Sequence, residues 1–182
     1  MAEAFSNKLT RAAGIVTTSS SGSIGVTTTI ITGISTVGVA VSDIIDNTNF
    51  IAGTKVTGYG AAASQVVVDQ TSTNTAAVSG SAIVNFLGMT TAYTSAAATK
   101  SILIGGTFAN NTSSSVNLTV EVHDASAGIQ AAIASKIPVP TGSSFVISDA
   151  GKTVLETGDE VRVFCDTANA IDVNLSILTG VS

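Results

Sequence analysis

The stretch Val116-Asn117-Leu118-Thr119-Val120-Glu121-Val122-His123 decides the fold. Val116, Leu118, Val120 and Val122 fall on one face of an extended chain, and Asn117, Thr119, Glu121 and His123 fall on the other. Successive side chains of a strand point to opposite faces, so a period of two with one apolar side marks a half-buried antiparallel strand. Ile171, Val173, Leu175 and Ile177 repeat the pattern against Asp172, Asn174 and Ser176. Outward from these segments, Asn, Gly and Pro breaks fall at 110–113, 124–128, 140–142 and 157–159. Turn signals at roughly 8–12-residue spacing suggest a sandwich or barrel. The segment 129–134 also reads as strand, because Ile129, Ala131 and Ile133 alternate with Gln130, Ala132 and Ala134. Pro138 and Pro140 at its end mark an edge or a loop.

Residues 82–182 are therefore expected to form an antiparallel β-sandwich of jelly-roll type. Its predicted core is Ile102, Ile104, Phe108, Leu118, Val120, Val122, Val161, Val163, Val173, Leu175 and Ile177. Residues 27–80 read as a small β module. Its strands are expected at 27–31, 37–41, 50–57 and 65–69, with the cluster Asp46-Asn47-Thr48-Asn49 as a turn. Residues 1–26 have no clear period and read as an extended N-terminal arm, either a flexible terminus or a segment that orders on a neighbouring subunit.

Composition excludes several functions. The chain has one histidine, one cysteine, no tryptophan and 10% charged residues. Catalysis needs ionisable groups converging on a pocket, and few are present to converge. Seven Lys and Arg against a net charge of −5 do not make the basic patch that nucleic-acid binding uses. A single cysteine excludes an internal disulfide and a Cys-based zinc site. The hydrophobic fraction of 45% and the mean hydropathy of +0.50 are high. No apolar run approaches the roughly 18–20 residues of a spanning helix. The excess is therefore assigned to burial against copies of the same chain, since obligate interfaces resemble a core cut in half. The first residues show no basic region followed by an apolar run, so synthesis and folding in a cytoplasm are expected.

Each candidate for chemistry has a plainer reading. His123 and Asp124 are adjacent, but strand neighbours point apart, and no nucleophile stands at a recognisable spacing. Asp43, Asp46, Asn47 and Asn49 offer oxygen ligands of the kind calcium takes, without the EF-hand pattern. Asx residues are equally common in turns. Gly105-Gly106 lacks the Lys-Ser/Thr of a phosphate loop and reads as a bulge or a close backbone approach. Glu156, Asp159 and Glu160 flank a turn and are expected to be solvated. Cys165 shares the face of Val161 and Val163 and reads as a small buried hydrophobe. The Asn-x-Ser/Thr matches at Asn110, Asn111, Asn117 and Asn174 are expected by chance in so Ser/Thr-rich a chain.

Two sets of segments carry a resemblance. Residues 41–47, 50–57, 66–69 and 71–75 resemble small β modules of tailed-bacteriophage virion proteins, notably those of marine cyanophages. Residues 100–111, 116–122, 137–144 (Ile-Pro-Val-Pro-Thr-Gly-Ser-Ser) and 154–163 (Val-Leu-Glu-Thr-Gly-Asp-Glu-Val-Arg-Val) look like the β-sandwich domain of small phage structural proteins. The resemblance implies a virion component, as capsid decoration or cement, neck or collar protein, or tail accessory. It carries over no catalytic residue.

The expected function is accordingly a non-enzymatic virion component with no catalytic residue, cofactor or metal. Its expected partners are other virion proteins and further copies of itself as a trimer or ring, without nucleic acid or membrane. The alternative is a host-receptor or carbohydrate-binding module of a tail fibre. Sugar binding leans on exposed aromatics, which make up 4% of this chain, with Tyr59 and Tyr93 as the only tyrosines.

Overall fold

The computed structural model describes residues 3–148 and 152–181. Among the described residues lie fifteen β-strands and no helix. The chain begins with β1 (Ala4–Ala13). It then enters a second unit made of β2 (Val16–Ile24), β3 (Ile30–Thr32), β4 (Ile44–Asp46), β5 (Val56–Tyr59), β6 (Gln65–Val68) and β7 (Val78–Leu87). It returns through β8 (Thr90–Thr94), β9 (Lys100–Asn110), β10 (Val116–Asp124), β11 (Ile129–Val139), β12 (Ser144–Ile147), β13 (Thr153–Leu155), β14 (Glu160–Cys165) and β15 (Ile171–Val181).

β1 and β8–β15 form two antiparallel sheets. Their orders are β1-β15-β9-β12, with β13 also on β9, and β11-β10-β14-β8. The pairings are nested: β1 with β15, β8 with β14, β9 with β12 and β13, and β10 with β11. A chain doubled back as one long hairpin and then rolled up gives this nesting, which is the jelly roll. Leu103, Phe108, Val173, Leu175 and Ile177 of one sheet meet Leu118, Val120, Val161 and Val163 of the other in one core. Each fully buried side chain of that size contributes about 1.5–3 kcal/mol of transfer free energy. The all-β, antiparallel sandwich expected for the C-terminal part is therefore present, and β11 with its prolines lies at a sheet edge as read.

The six strands β2–β7 form a sheet of order β4-β7-β2-β3-β6-β5. Its two ends meet. Ser42 N–H donates to the Val56 carbonyl at 2.9 Å, Val56 N–H to Asp43 at 2.9 Å, and Ile45 N–H to Thr54 at 2.8 Å. The sheet thus closes into a small barrel around Ile24, Ile31, Ile34, Val66, Val84 and Phe86. Closure shortens the open edge of this unit, with β4 covering residues 85–87 of β7. The barrel is an insertion between the first and second strands of the jelly roll.

Several expectations change, among them the strand at 50–57, where residues 50–54 form a turn with Thr54 N–H donating to the Ile51 carbonyl at 3.2 Å, and the strand at 27–31, which starts only at Ile30. Residues 1–26 are not a separate arm among the described positions: β1 is the first jelly-roll strand and β2 is a barrel strand. β2 is rich in Ser and Thr, β1 mixes apolar and polar residues on its outward phase, and both expose most of their side chains, which removes the one-sided apolar alternation that would have revealed them. The expected strand at 37–41 is a turn, with Val39 N–H donating to the Thr36 carbonyl at 3.2 Å, and Val37 is exposed. Ile102 and Ile104 are not core. In β9 the buried positions are Ser101 and Leu103 before the glycines, and Gly106, Phe108 and Asn110 after them. The register against β15 slips between Leu103 and Gly105, so the inward phase inverts there. The extra residue of this bulge is Ile104, immediately before Gly105 and Gly106, which pair with Ser176 and Leu175. A Cβ at Gly105 would also lie 2.9 Å from the Ile147 carbonyl oxygen, so the backbones approach closely as well. Val122, also predicted as core, is partly buried and packs against the cluster.

Candidate functional site

The concave feature that gathers the most charged side chains among the described residues lies where barrel and sandwich meet. It is a cleft of about 420 Å³ whose lining includes Thr17, Asp43, Lys55, Glu121, Arg162 and Phe164. Its floor is apolar: Phe164 packs with Ile44 and Leu87 of the barrel in a small buried cluster. Its walls are charged in opposite senses. Lys55 Nζ stands 3.9 Å from Glu121 Oε1 and 5.1 Å from the centroid of the Phe164 ring. Arg162 Nε donates to Glu160 Oε2 at 2.7 Å. Asp43 Oδ2 accepts from the Ala40 N–H at 2.8 Å, and burial holds the Asp43 carboxyl above its ordinary range despite that bond. Both cations of the cleft face carboxylates, and the Thr17 hydroxyl, which lies beside the Asp43 carboxyl, donates to the Phe86 carbonyl at 2.7 Å. The arrangement is that of a seam between the barrel and the sandwich.

The residues singled out in the sequence are dispersed. Asp124 Oδ1 accepts from the N–H groups of Ser126 and Ala127 at 2.9 Å and from the Ser126 hydroxyl at 2.8 Å. The Ala127 N–H above all, then the Ser126 hydroxyl, holds its carboxyl below the usual range. It builds the β10–β11 turn rather than orienting His123, whose Nδ1 is buried without a hydrogen-bond partner. Asp46 accepts from Asn85 Nδ2 at 3.2 Å, and Asn47 Oδ1 accepts from Asn49 N–H at 2.8 Å. These oxygens are engaged in the loop, and among the described residues no group of three or more His, Cys, Asp or Glu is placed to hold a metal. Asn110 is buried, with Nδ2 donating to the Ser114 and Val139 carbonyls at 2.7 and 2.8 Å.

Asp159 corrects the solvated reading of its turn. It is buried, with Oδ1 accepting from Ala125 N–H at 3.0 Å and Oδ2 from Glu156 N–H at 2.8 Å. It therefore ties the β13–β14 turn to the β10–β11 turn. Glu156 and Glu160 form ion pairs with Lys100 and Arg162 at 3.3 and 2.7 Å. Cys165 is buried beside Val161 and Val163 as read. Its thiol donates to the Thr167 carbonyl at 2.9 Å, and burial raises its pKa to about 11.

The cleft itself was not read from the sequence. One signal was available: Phe164 is apolar on the outward phase of β14, between Arg162 and the turn. An apolar residue out of phase on a half-buried strand points to a second packing surface.

Fold and site together define a class: a jelly-roll β protein with an inserted barrel and a charge-balanced seam. No family model matches this chain, and no curated protein matches it. Among solved structures, the crystal structure of the infectious bursal disease virus VP2 subviral particle is similar over 97% of this chain and 72% of that chain, at 10% identity and a TM-score of 0.35.

Proposed function

We propose that this protein is a non-enzymatic structural component of a tailed-phage virion, made in the bacterial host cytoplasm and acting through symmetric assembly with other virion proteins and with itself. Capsid decoration or cement, neck or collar, and tail accessory are the roles it fits. The observation that carries the reading is a row on the outer face of the five-stranded sheet. Phe5 stands opposite Leu178, Leu178 opposite Ile102, and Ile102 opposite Val154, all turned away from the core. Phe5 is 75% exposed and Val154 55%. A continuous apolar row on a solvent face favours coverage by another protein surface. The chemistry-bearing side chains, by contrast, are occupied in turns and in the seam. Jelly rolls recur in viral capsid and lectin domains, so the architecture suits the proposal without deciding it. The receptor-binding alternative draws less support, because Tyr93 is buried and the Tyr59 hydroxyl is held by the Val39 carbonyl at 2.6 Å.

Immunogold electron microscopy of intact particles with antibody to this protein tests the reading. Label over the head indicates decoration or cement; label at one vertex or along the tail indicates a neck or tail component. Unlabelled particles from a lysate that contains the protein would overturn an exposed virion role.

A further inference from the structure

The barrel closes on itself where β4 meets β5, while the sheets of the jelly roll stay open. Among the described residues the edge strands of the jelly roll are β1, β12, β13, β8 and β11. β8 and β12 are five and four residues long. β11 is longer, but it carries Lys136 and Pro138 and its register breaks twice. Short length, lysine, proline and bulges are the devices that keep a sheet edge from pairing with another chain. β1 lacks two of them, having ten residues and no proline. It carries Lys8 and a bulge after Thr10, but its register is unbroken from Ala4 to Thr10.

The outward phase of this strand is self-complementary. Phe5, Asn7, Leu9 and Arg11 are exposed on it, and Glu3, one residue before the strand, continues the alternation. Phe5 is 75% and Leu9 73% exposed. Read from one end, the phase is acid, apolar, amide, apolar, base; read from the other, the charges exchange and the rest is unchanged. Laying a second copy antiparallel about a two-fold axis at Asn7 sets Glu3 against Arg11, Phe5 against Leu9, and Asn7 against Asn7. Opposite charges and apolar pairs directly across an antiparallel pair are favourable, and like charges there are not. Two-fold pairing uses one patch twice, as isologous dimers do. Lys8 is the one cation on the inward phase, and the same register sets it against Ser6, whose Oγ is buried without a hydrogen-bond partner in the single chain.

We propose that β1 is a self-pairing edge: two copies of this chain join through antiparallel β1 strands, which makes the five-stranded sheet of one continuous with that of the other. The partner is a second copy and the contact is two-fold, so this edge builds dimers rather than the expected trimer or ring. The proposal does not depend on the virion reading, because the dimer is a property of the purified chain. β8 meets β1 towards the C-terminal end of the strand, where Thr10 Oγ1 donates to the Ala92 carbonyl at 3.5 Å and, in the following turn, Gly14 N–H donates to Thr90 Oγ1 at 3.3 Å.

Sedimentation equilibrium on the full chain at low ionic strength tests it, with circular dichroism as the check on folding. The wild type should sediment as a dimer. Glu3→Arg and Arg11→Glu should each weaken the dimer about ten-fold, since each sets like charges opposite one another twice. The double variant should regain the wild-type constant. Asn7→Cys should give a disulfide-linked dimer on mild oxidation, because the two thiols would meet at the axis while Cys165 is buried. A wild type that stays monomeric, an oligomer whose constant none of the charge reversals moves, or Asn7→Cys that does not cross-link overturns the proposal.

Discussion

Lys55 of the barrel holds its ammonium 3.9 Å from the Glu121 carboxylate of the sandwich, above the ring of Phe164. Ion pair and ring divide the seam between them, and the ring dominates. The charged partners keep 29% and 14% of their side-chain exposure, so water screens the pair. Phe164 is 3% exposed. Phe164→Ala should therefore cost about 3 kcal/mol. Lys55→Met and Glu121→Gln should each cost less than about 1 kcal/mol. Urea unfolding of the three variants checks this; equal losses would mean that charge, not packing, joins the units.

The bulge beside Gly105 predicts opposite outcomes for neighbouring residues. Leu103 and Leu118 are fully buried, so Leu103→Asp and Leu118→Asp should prevent folding by burying an unpaired charge. Ile102→Asp and Ile104→Asp place the same charge on the outer face and should leave a soluble, folded protein. Expression and circular dichroism of the four variants decide whether the phase inverts as described.

Asp159 joins two turns through two backbone donors. Asp159→Ala leaves the N–H groups of Ala125 and Glu156 without this acceptor and should cost about 2–3 kcal/mol. Asp159→Asn keeps one carbonyl acceptor and should recover part of the loss. Thermal melts of the two variants against wild type would show that order; equal melting temperatures for wild type and Asp159→Ala would mean the turns hold without it.

The Cys165 thiol titrates at about 11 in the folded protein, against an ordinary value of 9.0. Because the folded value is raised, its stabilising contribution is complete below pH 9 and is lost as pH rises through 11. Two units correspond to about 2–3 kcal/mol. The wild-type minus Cys165→Ala difference in unfolding free energy should fall across that window, and taking the difference isolates the thiol's share. The native thiol should also resist thiol-reactive disulfides at pH 8.

Legibility followed local chemistry. β10 and β15 were readable because each side chain's face depends only on its neighbours along the strand. β1 and β2 were not, because their partners lie far away or their outward faces are polar: Ala4 pairs with Thr179, across nearly the whole chain. Asp159 looked like surface because its partner comes from another turn, and the packing of Phe164 was not read because its partners come from the barrel.

The sequence by itself determined the strand class, the inward faces of the regular strands, the bulge beside Gly105-Gly106 and the burial of Cys165. Alternation, turn residues and glycine act over a few residues, so they can be read there. Only the tertiary structure decided the nested pairing of the jelly roll, the closure of the barrel, the inverted phase that puts Ile102 outside, and the free edge at β1. Those depend on which distant backbone supplies a strand's hydrogen bonds. Strand pairing satisfies N–H and C=O groups that are alike in every residue but proline, so the choice of partner is made by the packed whole.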